Sequence, residues 1–164
     1  MPAEPPVPEV VVSAAEETDL PAVRQLLQEY AGSLDFPLDF QDFERELAEL
    51  PGAYAPPHGS LLVARIDGGA AGCVALRRLD DDLCEMKRLY IRPGHRGLGL
   101  GRLLAAAIVD DARAHGYRAM RLDTTPTMAA AQALYTELGF RDIAPYTVNP
   151  VAGTRFLELE LRDV

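Results

Sequence analysis

Apolar and polar positions change their period several times along the chain, and each change marks an element. Val10-Val11-Val12 predicts a first strand. Val23, Leu26, Leu27 and Tyr30 then recur at helical spacing behind Thr18 or Asp19 as a cap. The stretch from Gly32 to Pro37 breaks that period, and Asp39 is positioned to cap a second short helix carrying Phe40, Phe43, Leu47 and Leu50. Pro51 to Gly59 holds three prolines and two glycines and predicts an exposed loop.

Three strands follow, Leu61 to Ile66, Ala71 to Leu79 and Leu83 to Ile91. Asp67-Gly68-Gly69 and Asp80-Asp81-Asp82 separate them, which predicts an antiparallel meander. A helix opening at Gly99 would bury Leu100, Leu103, Leu104, Ala107, Ile108 and Ala112 and end at Gly116. Met120 to Asp123 predicts a strand. Thr127 is positioned to cap a helix that ends at Leu138, with Gly139 in the left-handed terminal position and Phe140 folding back on it. Arg155 to Leu161 alternates as a late strand with one wetter face. The predicted order is βααβββαβαββ, an α/β chain without internal repeats.

At 164 residues the chain is expected to be one domain over 10–164, behind a flexible Pro-rich leader over 1–9. The leader lacks the basic and apolar regions of a signal peptide, and no apolar stretch approaches a membrane span. A cytoplasmic location and no membrane partner are therefore the default expectations. A net charge of −9 disfavours nucleic acid as a partner. Cys73 and Cys84 lie in apolar strand runs, where buried free thiols fit better than a disulfide.

Candidate chemistry concentrates at Arg96-Gly97-Leu98-Gly99-Leu100-Gly101, between a predicted strand and a predicted helix. Three glycines in this run let a ligand approach the backbone, and the helix start leaves N–H groups without intrahelical acceptors. Lys87, Arg88, Arg92, Arg96 and Arg102 add positive charge with no carboxylate from 87 to 102, so the segment suits a phosphate or pyrophosphate. The dinucleotide pattern G-x-G-x-x-G fails, because Arg102 or Leu104 stands at its third glycine. The NTPase phosphate loop fails as well, since Leu100 stands where lysine is required.

Arg96-x-x-Gly99-x-Gly101, with the run from Met86 to Leu104 around it, resembles the signature of the GNAT superfamily of N-acetyltransferases. Leu134-Tyr135-Thr136-Glu137-Leu138-Gly139-Phe140 is similar to that family's second motif, in the expected order. The resemblance implies a mixed, mostly antiparallel twisted sheet with helices on both faces. It also implies an acetyl-CoA-dependent enzyme that acetylates a primary amine by direct attack in a ternary complex.

Backbone N–H groups of Gly97, Leu98, Gly99, Leu100, Gly101 and Arg102 would then hold the pyrophosphate, with Arg96 also at the cofactor. Leu89 N–H would meet the acetyl carbonyl, and Ile91 would pair with the pantetheine amides, although both are equally ordinary core residues. Glu85 stands eleven residues before Arg96, the spacing of a general-base glutamate in histone-type members, and strand alternation would put it on one face with Lys87, Leu89 and Ile91. A salt-bridged glutamate beside Lys87 explains the same position. Tyr135 matches the tyrosine that protonates the departing thiolate, and amphipathic core packing is its alternative.

Met128 occupies the position where many members carry asparagine, which removes a side-chain amide from the cofactor site. His58, His95 and His115 are too scattered for a metal, and Ser13, Ser33 and Ser60 lack a nucleophile elbow. Acceptors in the family range from small molecules to peptides, and the acidic balance outside 87–102 favours an amine that is cationic in solution. The aromatic-rich segment from Tyr30 to Phe43, the Tyr54 loop and Tyr146 are candidate walls of its pocket, with core packing as the stronger alternative for Phe36, Phe40 and Phe43. The resemblance leaves room for a homodimer. A non-catalytic acyl-CoA sensor would keep the glycine turn while Glu85 and Tyr135 served only for packing.

Overall fold

The computed structural model describes residues 8–34, 37–38 and 42–162. Their elements are β1 (Val10–Ala14), α1 (Leu20–Gly32), α2 (Phe43–Glu49), β2 (Ser60–Ile66), β3 (Gly69–Arg78), β4 (Leu83–Ile91), α3 (Leu100–His115), β5 (Ala119–Thr124), α4 (Ala129–Leu138), β6 (Arg141–Ile143) and β7 (Arg155–Glu160). The order matches the predicted βααβββαβαββ. The strands form one sheet in the order β1-β2-β3-β4-β5-β7-β6, antiparallel everywhere except between β4 and β5.

Alternation along the strands sends apolar side chains to both faces. Leu62, Val74, Met86, Leu122 and Leu157 pack beneath α3 and α4, with Leu104, Ile108 and Tyr135 from the helices. Leu61, Val63, Cys73, Ala75 and Tyr90 pack on the opposite face against Val23, Leu26 and Leu27 of α1 and Phe43 of α2. Helices thus cover both faces of the sheet, as expected. Both cysteines are free and fully buried, and burial pushes each thiol up to about 12. Among the described residues no helix is long and apolar enough to cross a membrane.

Several local expectations need correction. Asp19 stands at the N-cap of α1, but its carboxylate turns back to the Glu16 N–H at 2.8 Å and pairs with Arg65 instead of capping. Asp42 occupies the N-cap of α2, while Asp39 and Phe40, together with Phe36, lie outside the described residues. Tyr54 is buried in the core under a helical turn at Gly52–Tyr54, not exposed in a loop. The buried stripe of α3 is rotated relative to the expected one. It includes Ala105 and Val109, and leaves Leu103 46% exposed. Met128, not Thr127, takes the N-cap of α4. The expected ending of that helix is present: Gly139 has φ +100°, and Phe140 N–H donates to Tyr135 O at 3.0 Å.

Candidate active site

Two irregularities of β4 build the site. The first is its short pairing with β5, in which only Leu83, Cys84 and Glu85 find partners, at Ala119, Met120 and Arg121. Beyond that point the two strands part, and a cavity of about 560 Å³ opens between residues 86–91 on one side and Leu122, Asp123 and Thr125 on the other. Parallel neighbours that separate leave backbone groups facing the gap, where a ligand can take the place of a strand.

The second irregularity is a bulge. Cys73 pairs with Tyr90 but Ala75 pairs with Lys87, so Arg88 and Leu89 have no register partners. Arg88 takes φ +63°, a left-handed conformation that costs about 1–2 kcal/mol outside glycine. Its guanidinium is held by two 2.9 Å bonds to Glu46 and lies 5.3 Å from the Phe43 ring centroid. The extra residue reverses the alternation. Leu89 and Ile91 join the α3 face, whereas Glu85 and Lys87 belong to the α1 face. The expected shared face of Glu85, Lys87, Leu89 and Ile91 therefore does not exist.

The glycine turn closes one end of the cavity. Gly97 and Gly99 have φ +86° and +79°, and a Cβ on either would meet no protein atom within 4 Å. Their bareness is thus not needed for packing; the space beside them is open. The first bond into α3 is Leu103 N–H to Gly99 O at 3.1 Å, so the N–H groups of Leu100, Gly101 and Arg102 have no acceptor within the helix. Gly97, Gly99, Leu100, Gly101 and Arg96 line the cavity at this end, together with His95; Leu98 is 52% exposed beside it.

The five cations do not form one cradle. Arg88 pairs with Glu46, Arg92 with Glu29, Arg102 with Glu137, and Lys87 lies 3.8 Å from Glu85. The carboxylates missing from 87 to 102 arrive from α1, α2, α4 and β4 itself. Arg96 alone of the five makes no ion pair among the described residues. Its Nε donates to Ile91 O at 3.1 Å, and its guanidinium stands 6.0 Å from the Tyr90 ring centroid.

Glu85 is 1% exposed and is not among the residues lining the cavity. One carboxylate oxygen accepts from Arg77 Nε at 2.7 Å and faces Lys87 Nζ at 3.8 Å; the other accepts from Tyr146 O–H at 2.5 Å. Tyr146 packs on Phe156 and beneath Arg121, which ties the segment between β6 and β7 across the sheet.

Tyr135 lies where α4 meets the gap. Its ring packs on Phe140 with centroids 5.6 Å apart, and its side chain lines the cavity. Burial, reinforced by Tyr30 and Asp123, pushes its phenol above the usual tyrosine range, so it stays protonated at neutral pH. Met128 lines the cavity with a thioether where an amide is absent.

One lining residue that the motifs do not mark is Asp123, two positions past the last β4–β5 pair. A carboxylate within a half-buried strand run is itself a signal, since aspartate is disfavoured there.

Residues 20–140 match the acetyltransferase (GNAT) family. An N-acetyltransferase of Schizosaccharomyces pombe, described as uncharacterized, is 43% identical over 145 residues, spanning 87% of this chain and 89% of that protein. The IAA acetyltransferase of Azospirillum brasilense is 34% identical over 144 residues, 87% of this chain and 84% of its own. A Salmonella typhimurium structure containing the cofactor acetyl-CoA shares the fold, with a TM-score of 0.70 at 23% identity over 94% of this chain and 95% of that one. By its sheet, its glycine turn and these likenesses, the chain belongs to the GNAT family of acetyltransferases.

Proposed function

We propose that this protein transfers the acetyl group of acetyl-CoA to a primary amine by direct attack in a ternary complex. The observation that carries this reading is the β4–β5 gap, open at one end to the glycine turn and flanked at its middle by Leu89 and Tyr135. The pyrophosphate would lie against the N–H groups from Gly97 to Arg102, aided by Arg96, and the pantetheine arm would extend β4 through the backbone of Ile91. Leu89 N–H would hold the thioester carbonyl, whose oxygen gains charge as the nitrogen attacks. Collapse of the tetrahedral intermediate breaks the C–S bond, Tyr135 O–H gives its proton to the departing thiolate, and the proton that the nitrogen loses restores the phenol.

Glu85, for which the sequence left a general base and a salt-bridged glutamate open, accepts from Arg77 and Tyr146 while facing Lys87. Its proposed part is to position the β6–β7 segment over the acceptor end. Release of the coenzyme A thiol from acetyl-CoA, followed across alkylamines, amino acids, aminoglycosides and short peptides, tests the reading. At least one amine should give stoichiometric thiol and acetylated amine. Tight acetyl-CoA binding with no turnover on any amine would replace the enzyme with an acyl-CoA sensor.

A further inference from the structure

The peptide between Arg88 and Leu89 carries the N–H that would hold the thioester carbonyl, and it lies in the bulge of β4, where no register partner fixes it. A donor of this kind works only when its direction is set before the charge develops. We propose, on the acetyl-transfer reading above, that Glu46 of α2 is the positioning residue for this N–H, holding the bulge through the Arg88 side chain.

The backbone gives the first reason. Among the described residues three non-glycines have positive φ. Asp42 stands at the N-cap of α2 and Asp67 in the turn between β2 and β3, places where aspartate adopts that conformation readily. Arg88 sits inside a strand with φ +63°, where glycine would be at ease and arginine is not. Such a conformation persists when the surrounding contacts over-determine it.

Those contacts come from α2. Arg88 Nε donates to Glu46 Oε2 and Arg88 Nη2 to Glu46 Oε1, both at 2.9 Å. Two parallel bonds between planar groups fix direction as well as distance. Phe43, one turn earlier on α2, places its ring centroid 5.3 Å from the guanidinium carbon. The Arg88 and Glu46 side chains are 2% and 17% exposed, so little water is at hand to replace either partner. Desolvation discounts the net stability of such a pair, while its fixed geometry remains.

A contact from β3 acts on the same peptide. Cys73 Sγ donates to Arg88 O at 3.5 Å. In a planar trans peptide the N–H points opposite the C=O. The Leu89 N–H therefore turns away from β3 to the β5 side, where Leu89 lines the cavity. A thiol is a weak donor, so the direction of this peptide depends chiefly on the Arg88 tether. Glu46 is not among the cavity-lining residues, and its influence on the reaction passes through Arg88, which is.

The test compares the parent with Glu46→Gln, Glu46→Asp, Arg88→Gly and the Glu46→Gln/Arg88→Gly pair. Glu49→Gln is the control, an exposed α2 carboxylate paired with Arg45. Acetyl-CoA isotope-labelled at the thioester carbonyl carbon reports the N–H through its C=O infrared stretch, and this readout needs no amine. In Glu46→Gln the stretch should rise, as from a weaker hydrogen bond, and kcat with the best amine of the thiol-release screen should fall by about tenfold or more. Acetyl-CoA affinity should stay within about twofold, because the pyrophosphate and pantetheine contacts lie elsewhere. Glu46→Asp keeps the charge with a shorter reach and should fall between; it carries the comparison if Glu46→Gln does not fold. Arg88→Gly cuts the tether while relieving the backbone, so it should shift the stretch in the same direction, and in its background Glu46→Gln should cost nothing further. Glu49→Gln should match the parent throughout. A stretch unchanged in the Glu46 variants would overturn the proposal, as would the full loss of kcat from Glu46→Gln recurring in the Arg88→Gly background. A parent inert toward every amine would instead overturn the acetyl-transfer reading, and the stretch would still decide the role of Glu46.

Discussion

Gly99→Asp is expected to weaken acetyl-CoA binding by about a hundredfold while leaving the protein folded. Gly99 has φ +79° and a bare surface, so a new side chain meets no protein atom within 4 Å. The left-handed backbone costs about 1–2 kcal/mol for a residue with a Cβ, less for aspartate than for most. That cost is present with and without ligand, so it lowers the melting temperature and cancels from the affinity. What remains is a carboxylate at the mouth of an anion site. Two like charges about 4 Å apart repel by ~1 kcal/mol in water and ~4 kcal/mol near a protein surface, which brackets the expected factor. Calorimetry with acetyl-CoA measures it, and Gly94→Ala, outside the turn and equally unobstructed, is the matched control. Equal affinity in Gly99→Asp would remove the pyrophosphate from this turn.

Tyr135→Phe should lower kcat by about 10²-fold with acetyl-CoA affinity nearly intact. The ring's contacts with Phe140 and the core survive the change, because only the hydroxyl is removed. The Tyr135 side chain lines the cavity, and no buried side-chain polar atom among the described residues lacks a partner, so the change leaves the core's polar groups paired. A proton donor that acts only as the C–S bond breaks lowers the transition state and not the bound ground state. Because burial and the nearby Asp123 hold the phenol above its ordinary range, the parent should keep its donor well into alkaline solution. Single-turnover acetyl transfer separates this step from binding. A kcat within about threefold of the parent would make Tyr135 a core residue and nothing more.

The elements were legible because their signals are local. Two- and 3.6-residue periods place the three meander strands and α3, and Gly116 and Gly139 end their helices in the left-handed conformation expected of them. The glycine turn was equally plain, since conformational freedom at Gly97 and Gly99 is written in the residue type. The charges were not. Glu46 lies 42 residues from Arg88, Glu29 lies 63 from Arg92, and Glu137 lies 35 from Arg102, so an apparently bare run of cations is mostly paired once folded.

The bulge at Arg88 has no local signature, because arginine gives no hint of a positive φ; that one residue moved Glu85 to the opposite face from Leu89. Tyr54 followed the same logic. Its prolines and glycines announce a loop correctly, but whether a loop's tyrosine is buried depends on what α1 and the sheet leave uncovered. Asp123 stood out in its strand run, but its place on the cavity wall comes from where β5 leaves β4.

The most direct measurement is a crystal structure of the protein with acetyl-CoA. The pyrophosphate should lie against the backbone from Gly97 to Arg102, with the pantetheine beside Ile91. The thioester carbonyl should face Leu89 N–H, and its sulfur should lie within reach of the Tyr135 hydroxyl. Acetyl-CoA bound outside the β4–β5 gap, or a gap still open at saturating acetyl-CoA, would contradict the account.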